Sequence, residues 1–173
     1  MANRNESESV NGIRPGESSG IIAESLLQVV GEGSVLLQLT IRLLSRPEWR
    51  VFKNCTEAGC DLVILHNTNY ALERQIKIGV KTRHNLVTGR RNKNGIHFTL
   101  SQAERDASDF LVAYWLDRND FFVVPCDELR AVNNGNKKSY KFIAYVSTRS
   151  GEYTEHSARF LNRWDSIVDA LDK

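Results

Sequence analysis

The sequence has few of the residues that mark secreted, zinc-binding or membrane-embedded proteins. Its three cysteines, Cys55, Cys60 and Cys126, form neither a CxxC pair nor an even set, which indicates reduced thiols and a cytoplasmic location. The four histidines show no HExxH spacing, so a catalytic zinc site is not indicated. No apolar run reaches the ~18 residues of a membrane span, and no Gly-rich phosphate loop follows an apolar run. The residues therefore predict no membrane partner and no nucleotide-driven chemistry.

Apolar side chains are also scarce at the start of the chain. Residues 1–18 are mostly Ser, Asn, Glu and Gly, which cannot offset the entropy of ordering, so they are predicted to form a flexible tail. Residues 19–173 are enough for one domain with its own core. A hydrophobic content of 41% and a charged content of 25% are ordinary for a globular protein.

Hydrophobic periodicity predicts three main helices. The first two cover residues 19–30 and 34–45, with Gly31-Glu32-Gly33 as an interruption and Ser34 as the N-cap of the second, and the third covers 160–171. The second helix is apolar almost all round, so it is expected to be buried on two sides or to lie at a subunit interface.

Runs rich in β-branched and aromatic residues predict a sheet between these helices. Strands are predicted at 48–52, 61–66, 72–82, 96–100, 110–116, 121–124 and 140–147, with a capping-box helix from Ser101, one helical turn within 126–132 and a loop at 133–138. This order predicts an α/β fold with a mixed central β-sheet flanked by helices.

Residues 59–91 contain the polar groups that point to chemistry. The runs 61–66 and 72–82 flank an Asn-Thr-Asn turn, which predicts a hairpin. Strand alternation places Ile76, Ile78 and Val80 on one face and the polar residues of the second run on the other. That polar face is expected to meet Asp61, which opens the first strand, without disturbing the core.

An Asp that opens a strand, followed on the next strand by an acid or amide, a hydrophobe and a lysine, resembles the PD-(D/E)XK (restriction-endonuclease-like) nuclease superfamily. The resemblance covers roughly Gly33 to Pro125. It implies the restriction-endonuclease-like fold and a divalent-metal-dependent endodeoxyribonuclease. Asp61 and a following acid would hold Mg²⁺ or Mn²⁺, and the lysine would position or polarise the attacking water. A hard cation beside an ammonium stabilises the negative charge that phosphodiester hydrolysis builds on phosphoryl oxygens.

Two registers of the second half of the motif stay open. The segment 78–82 is most similar to the superfamily's Val-Lys-Thr ending, which makes Lys81 the lysine and puts Gly79 in the acidic position. The alternative uses Gln75 as the oxygen ligand and Lys77 as the lysine.

Hairpin geometry and nearby acids bear on the same choice. A hairpin that closes at residues 67–70 would place Asp61 roughly opposite Ile76, which favours the Gln75 register. Glu73 lies about 7 Å along the strand from Gln75, so it is a further candidate metal ligand. Superfamily members often place a glutamate on the preceding helix, where this chain has Gln38, with Glu32 just before it as the candidate ligand.

Positive charge is concentrated next to this hairpin. The net charge is only +2, but residues 74–103 contain seven Lys or Arg and no Asp or Glu, which leaves −5 for the rest. A polyanion is the natural ligand of such a field, and a solvated basic loop is the alternative. The predicted nucleic-acid contacts are Arg83, His84, Arg90, Arg91 and Lys93.

Two function hypotheses follow. The first is a metal-dependent DNA endonuclease, expected to be a homo-oligomer because cutting both strands commonly pairs two sites by symmetry. The alternative is a nucleic-acid-binding or assembly protein that keeps the fold with a degenerate site. The residues within ~5 Å of the Asp61 carboxylate, where charges act strongly on each other, distinguish the two.

Overall fold

One long helix and two sheets make up the fold. The structure, a computed structural model, describes residues 15–54, 59–67, 75–84, 95–135 and 137–172, with side chains described from residue 24 onward except that of Asn134. The helix α1 (Pro15–Arg42) runs into a 3-10 turn (Leu43–Ser45). The elements that follow are β1 (Trp49–Lys53), β2 (Leu62–His66), β3 (Gln75–Arg83), β4 (Gly95–Ser101), α2 (Gln102–Asp106), β5 (Phe110–Trp115), β6 (Asp120–Pro125), β7 (Arg130–Asn134), β8 (Lys137–Tyr145), α3 (Glu155–Ala158) and α4 (Asp165–Ala170).

The central sheet is mixed, as the sequence predicted. Its strand order is β1-β2-β3-β5-β6, in which β3 and β5 run parallel and the other neighbours run antiparallel. A second sheet, β4-β8-β7, is antiparallel throughout. One face of the central sheet packs on α1 and α4, and the other packs on the second sheet. All six residues of β5 are buried because both of its faces are covered.

The two predicted N-terminal helices are one continuous helix. Gly31 does not interrupt it but packs against β3, where an added Cβ would lie 1.6 Å from Thr82 Oγ1. Ser34 is not an N-cap, because its Oγ donates a hydrogen bond to the carbonyl of Val30, 2.8 Å away and one turn back in the same helix. The helix begins at Pro15, inside the predicted tail. Residues 1–14 lie outside the described residues, so the prediction of a tail is untested there.

The predicted C-terminal helix is broken. Asn162 has a positive φ of 51°, and Leu161 forms an isolated bridge with Phe122. The break lets Phe160 enter the core beneath the second sheet while Trp164 and Ile167 enter the core beneath α1. A single straight helix could not send these side chains to both faces of the central sheet.

The segment after Pro125 also differs from its prediction. The predicted helical turn within 126–132 is a 3-10 turn of three residues (Cys126–Glu128) followed by β7. The predicted loop at 133–138 is the connection of the β7–β8 hairpin, in which Asn134 pairs with Lys137.

Residues 24–45 form a helix long and apolar enough, by length and composition, to cross a membrane. The core helices of soluble proteins pass the same test. The helix contacts β1 and β3 on one side, so part of its apolar surface is used inside the domain. The absence of a membrane partner remains a prediction.

Two glycines of α1 provide a matched test of its packing. Gly31→Ala is expected to destabilise the protein by about 1–3 kcal/mol, because the new methyl overlaps Thr82 in a closed contact. Gly33→Ala should instead stabilise it by about 0.5–1 kcal/mol, since a Cβ there meets nothing within 4 Å and alanine favours the helix. Urea unfolding of the two variants measures both effects. Equal effects would contradict the close approach at Gly31.

Candidate active site

Asp61 lies immediately before β2, beside the central strand β3. Its backbone N–H donates to the carbonyl of Ile78 at 2.9 Å. One carboxylate oxygen, Oδ2, accepts a hydrogen bond from the Val80 N–H at 2.5 Å. Both bonds fix the carboxylate against the middle of β3.

The observed pairing corrects the predicted hairpin geometry. Leu62 pairs with Ile78, and Ile76 pairs with Ile64, so Asp61 is not opposite Ile76. The described pairing extends to Leu65 and Gln75, and residues 68–74, where the closure was predicted, lie outside the described residues.

The pairing alone does not separate the two candidate lysines, because Lys77 and Lys81 each lie two residues from Gly79, the position opposite Asp61. Gln75 pairs with Leu65, about 13 Å along the strand from the position of Asp61, so the structure does not bring these two residues together. Lys77 pairs with Val63, about 7 Å from that position. Lys81, by contrast, acts electrostatically on the Asp61 carboxylate.

Lys81 is held by an acid that follows β4. Its Nζ lies 2.6 Å from Oε1 of Glu104, on α2. The other oxygen of Glu104 accepts the Ser101 N–H at 2.7 Å, while Ser101 Oγ accepts the Glu104 N–H at 3.2 Å. The capping box that was predicted to start α2 therefore also fixes the partner of Lys81.

Glu32 reaches the same region from α1. It is 5% exposed, and its Oε1 accepts a hydrogen bond from Gln28 at 2.8 Å. Its Oε2 lies 2.6 Å from Lys53 Nζ, close enough for an ion pair but without hydrogen-bond geometry. The Lys53 ammonium at this distance offsets the cost of burying the Glu32 carboxylate.

The pKa values of Asp61 and Glu104 are shifted by burial and by the charged groups around them. Burial raises the pKa of Asp61 above its ordinary value, and the charges of Glu32 and Glu104 raise it further, against the Val80 hydrogen bond and Lys81. Partial burial also raises the pKa of Glu104, but the hydrogen bonds from Lys81 and Ser101 outweigh it and leave that pKa lowered. The Asp61 carboxylate is thus the group on which the charges of Lys81, Glu32 and Glu104 act together.

Gly79 occupies the acidic position of the Lys81 register. It is buried, and an added Cβ would lie 3.2 Å from Ser108 Oγ and 3.8 Å from Leu100 Cδ2. A carboxylate side chain therefore has no room at this position unless Ser108 moves.

A cavity of about 210 Å³ opens between α1 and the end of β3. Lys81 and Arg83 line it, together with Glu24, Leu27, Gln28, Val80, Thr82 and Thr99. Arg83 also donates to the carbonyl of His97 at 3.4 Å. His84 Nε2 lies 3.2 Å from Asp117 Oδ1.

The donors present suit a hard cation. Mg²⁺ is commonly held by one or two carboxylates and keeps several waters. Oδ2 of Asp61 is bonded to Val80, so Oδ1 would bind the ion, with Glu32 or Glu104 as the second acid. Among the described residues, no three His, Cys, Asp or Glu side chains are close enough to hold a metal between them. The residues therefore fit an ion that is bound by one or two carboxylates and keeps water as its other ligands, and they do not fit an ion bound by protein atoms alone.

Other predicted site residues are untested by this geometry. Glu73, Arg90, Arg91 and Lys93 lie outside the described residues. Gln75 and Lys77 lie on β3, and Arg83 and His84 lie at its end. The roles assigned to these residues stay predictions.

Sequence reasoning missed Glu104 as a site residue. Its only local signal was the capping box, which explains the acid by helix capping alone. A second signal was available: Gly79 left the motif short of an acid, and Glu104 follows a predicted strand.

The mixed central sheet with helices packed against it is the α/β architecture that the resemblance implied, the restriction-endonuclease-like fold. No protein-family model matches the chain, and no curated protein matches it. The solved structure of the bacterial homing endonuclease I-Ssp6803I is similar, with a TM-score of 0.52 and 19% identity over 84% of this chain and 93% of that one. The likeness at this identity shows the fold.

A Holliday junction resolvase, Hjc of Archaeoglobus fulgidus, also matches. Its TM-score is 0.38 with 13% identity, over 72% of this chain and 99% of that one. The likeness is too distant to support an argument about this site.

The raised pKa of Asp61 predicts that its charge costs stability. In metal-free buffer Asp61→Asn should raise the free energy of unfolding at pH 7, because the folded state binds a proton there more tightly than the unfolded state. The gain should be absent below about pH 4, the pKa of an unfolded Asp, and should grow as pH rises through the folded pKa. One pKa unit corresponds to about 1.4 kcal/mol.

Asp172 is the matched control, because its pKa is shifted in the opposite direction and its replacement should change stability in the opposite direction. Its hydrogen bonds from Arg46, at 2.6 and 2.9 Å, lower its pKa. Asp172→Asn should therefore reduce stability at pH 7, and the loss should vanish as pH falls through the folded pKa. Urea unfolding from pH 3 to 8 measures both variants, and a loss of stability in Asp61→Asn at pH 7 would contradict the assignment.

Proposed function

We propose that this protein is a metal-dependent nuclease that hydrolyses phosphodiester bonds in DNA, with Asp61 as the metal anchor and Lys81 as the catalytic lysine. The observation that supports the proposal is that Lys81, ion-paired with Glu104 at 2.6 Å, and the acids Glu32 and Glu104 all act electrostatically on the Asp61 carboxylate, which is hydrogen-bonded to β3. A protein keeps acids together beside a lysine at a cost in stability, which is typical of functional sites.

Each of these residues has a role in the proposed reaction. A Mg²⁺ or Mn²⁺ ion bound there would stabilise charge on the phosphoryl oxygens and acidify a water. Asp61 would hold the ion, assisted by Glu32 or Glu104. Lys81 would donate a hydrogen bond to the attacking water or to a phosphoryl oxygen, where negative charge develops.

Glu104 is proposed as a positioning residue. Its ion pair with Lys81 sets where the ammonium lies, and the capping box in turn fixes Glu104. The cavity lined by Lys81 and Arg83 would take a backbone phosphate next to the one that is cut.

A second function is favoured by one observation. Gly79 stands where the resemblance places an acid, and both oxygens of Glu104 already have partners. A nucleic-acid-binding protein with a degenerate site would have this arrangement. Cleavage assays separate the two functions.

Wild-type protein is expected to nick or cut supercoiled plasmid DNA with Mg²⁺ or Mn²⁺ and to lose this activity in EDTA. Asp61→Asn should reduce the cleavage rate by about 10³-fold or more, because the anchor loses its charge. Lys81→Ala should reduce it by about 10²–10³-fold, as loss of one charge-stabilising donor does.

Lys77→Ala is the matched control on the same strand. It lies four residues from Lys81, which displaces its ammonium by about 13 Å along the strand, so cleavage should stay within a few-fold of wild type. A larger loss in Lys77→Ala than in Lys81→Ala would contradict the assigned lysine. Binding of DNA without cleavage by the wild type, under every metal, would favour the degenerate site.

The basic segment makes a separate prediction about binding. Replacing Arg83, Arg90, Arg91 and Lys93 together by Ala should weaken duplex binding and flatten its salt dependence. Each lost phosphate contact lowers the slope of log K against log salt by about 0.9. Fluorescence anisotropy at several salt concentrations measures the slope, and an unchanged slope would mean that the segment is only solvated.

A further inference from the structure

The outer face of α1 is apolar and exposed. Six large apolar side chains on this helix and the 3-10 turn that continues it are between 45 and 75% exposed: Leu26, Val29, Val30, Leu37, Ile41 and Leu44. Isolated exposed apolar residues are normal on a protein, but a contiguous row along one helix indicates an interaction surface.

The row has the spacing of a helix-pairing seam. Leu26, Val30, Gly33, Leu37, Thr40 and Leu44 follow each other at alternating steps of four and three residues. This is the heptad pattern by which one helix packs on another. The seam is about 27 Å long at 1.5 Å per residue.

Within the described part of the chain, no other helix is long enough to cover this seam. The other helices in the described part of the chain, α2, α3 and α4, have five, four and six residues. The stretches outside the described ranges are short and mostly polar in sequence, the longest being residues 1–14. A helix of matching length and pattern exists in α1 of a second copy.

Charge argues against a lipid surface as the occupant. Helices that lie on membranes usually have several Lys or Arg along their polar face. Residues 24–45 contain one basic residue, Arg42, and it is bonded to Gln38 and stacks on Trp164 inside the domain.

We propose that two copies of this chain pair through α1, antiparallel, along this seam. A two-fold axis near residue 35 sets Gly33 of one copy opposite Leu37 of the other, which fits a small residue against a large one. It also sets Leu26 opposite Leu44. A parallel pair would instead put Gly33 opposite Gly33 and leave a gap in the seam.

The end of the seam supports the same pairing. A groove of about 430 Å³ lies between Leu44 and β1, lined by Leu43, Trp49 and Phe52 among others. Phe52 is 43% exposed, and β1 is at the edge of the central sheet. In the antiparallel arrangement the first residue of the partner's seam, Leu26, comes next to this groove.

The proposal is tested by sedimentation equilibrium. Wild-type protein should sediment as a dimer, and Leu37→Gln with Leu44→Gln should raise the dimer dissociation constant by more than about 100-fold, because four buried leucines are lost per dimer. Tyr145→Gln, at a side chain 41% exposed on β8, is the control and should leave the constant unchanged. Because both seam leucines are exposed in the single chain, circular dichroism should show unchanged folding.

Cysteine cross-linking tests the direction of the pair. An oxidised mixture of Leu26→Cys and Leu44→Cys proteins should form a disulfide dimer that neither variant forms alone and that wild type, with its own cysteines, does not form. A parallel pair would link each variant to itself. Self-linking of each variant would overturn the proposal. It would also be overturned by a monomeric wild type, by a monomer that floats with anionic vesicles, or by a dimer that the Gln changes leave unaffected.

None of these measurements depends on cleavage. A catalytically inactive protein that dimerises would leave the pairing intact, and an active monomer would leave the proposed nuclease function intact.

Discussion

The contact between Gly31 and Thr82 determines how the rest of the molecule is arranged. With no side chain at Gly31, α1 approaches the central strand so closely that a methyl group would overlap the threonine hydroxyl. This approach fixes the rotation of the helix about its axis. The next residue, Glu32, is then buried near Asp61, and the opposite face of the helix is left in solvent. One small residue thus sets both the inner acid of the site and the outer apolar seam.

The acids of the site come from three elements because the central strand has no room for one. At Gly79, where the PD-(D/E)XK resemblance places an acid, Ser108 and Leu100 close the space. Glu104 approaches from α2 and holds Lys81 at 2.6 Å, while Glu32 approaches from α1. Such a site depends on the packing of α1 and α2 against β3 as much as on the strand itself. Changes in either contact are therefore expected to alter Lys81 and Asp61 together.

The sequence predicted the elements well where a single local rule applied. The strands and the mixed sheet followed from apolar runs, and the capping box at Ser101 is present. The predictions failed where a tertiary contact decided the outcome. The sequence predicts a break at Gly31, where the structure has close packing, and it predicts one periodic helix where Asn162 interrupts the chain so that its side chains enter two cores. The placement of Asp61 opposite Ile76 failed because the turn length cannot be read from the strand pattern. Glu104 was missed because its capping role already explained it.

The same helix would serve the proposed site and the proposed dimer, and this limits what α1 can tolerate. Its inner face must keep Glu32 and the Gly31 contact, while its outer face keeps an apolar row that would be unfavourable in water without a partner. An exposed apolar row is less unfavourable when another surface covers it. In the proposed two-fold dimer, the row of each copy covers the row of the other. The charge of Glu32 adds a second constraint. Its carboxylate is ion-paired with Lys53 at 2.6 Å, and its charge is among those that raise the pKa of Asp61. A substitution that rotates α1 on the sheet is therefore expected to disturb the proposed site and the proposed pairing together.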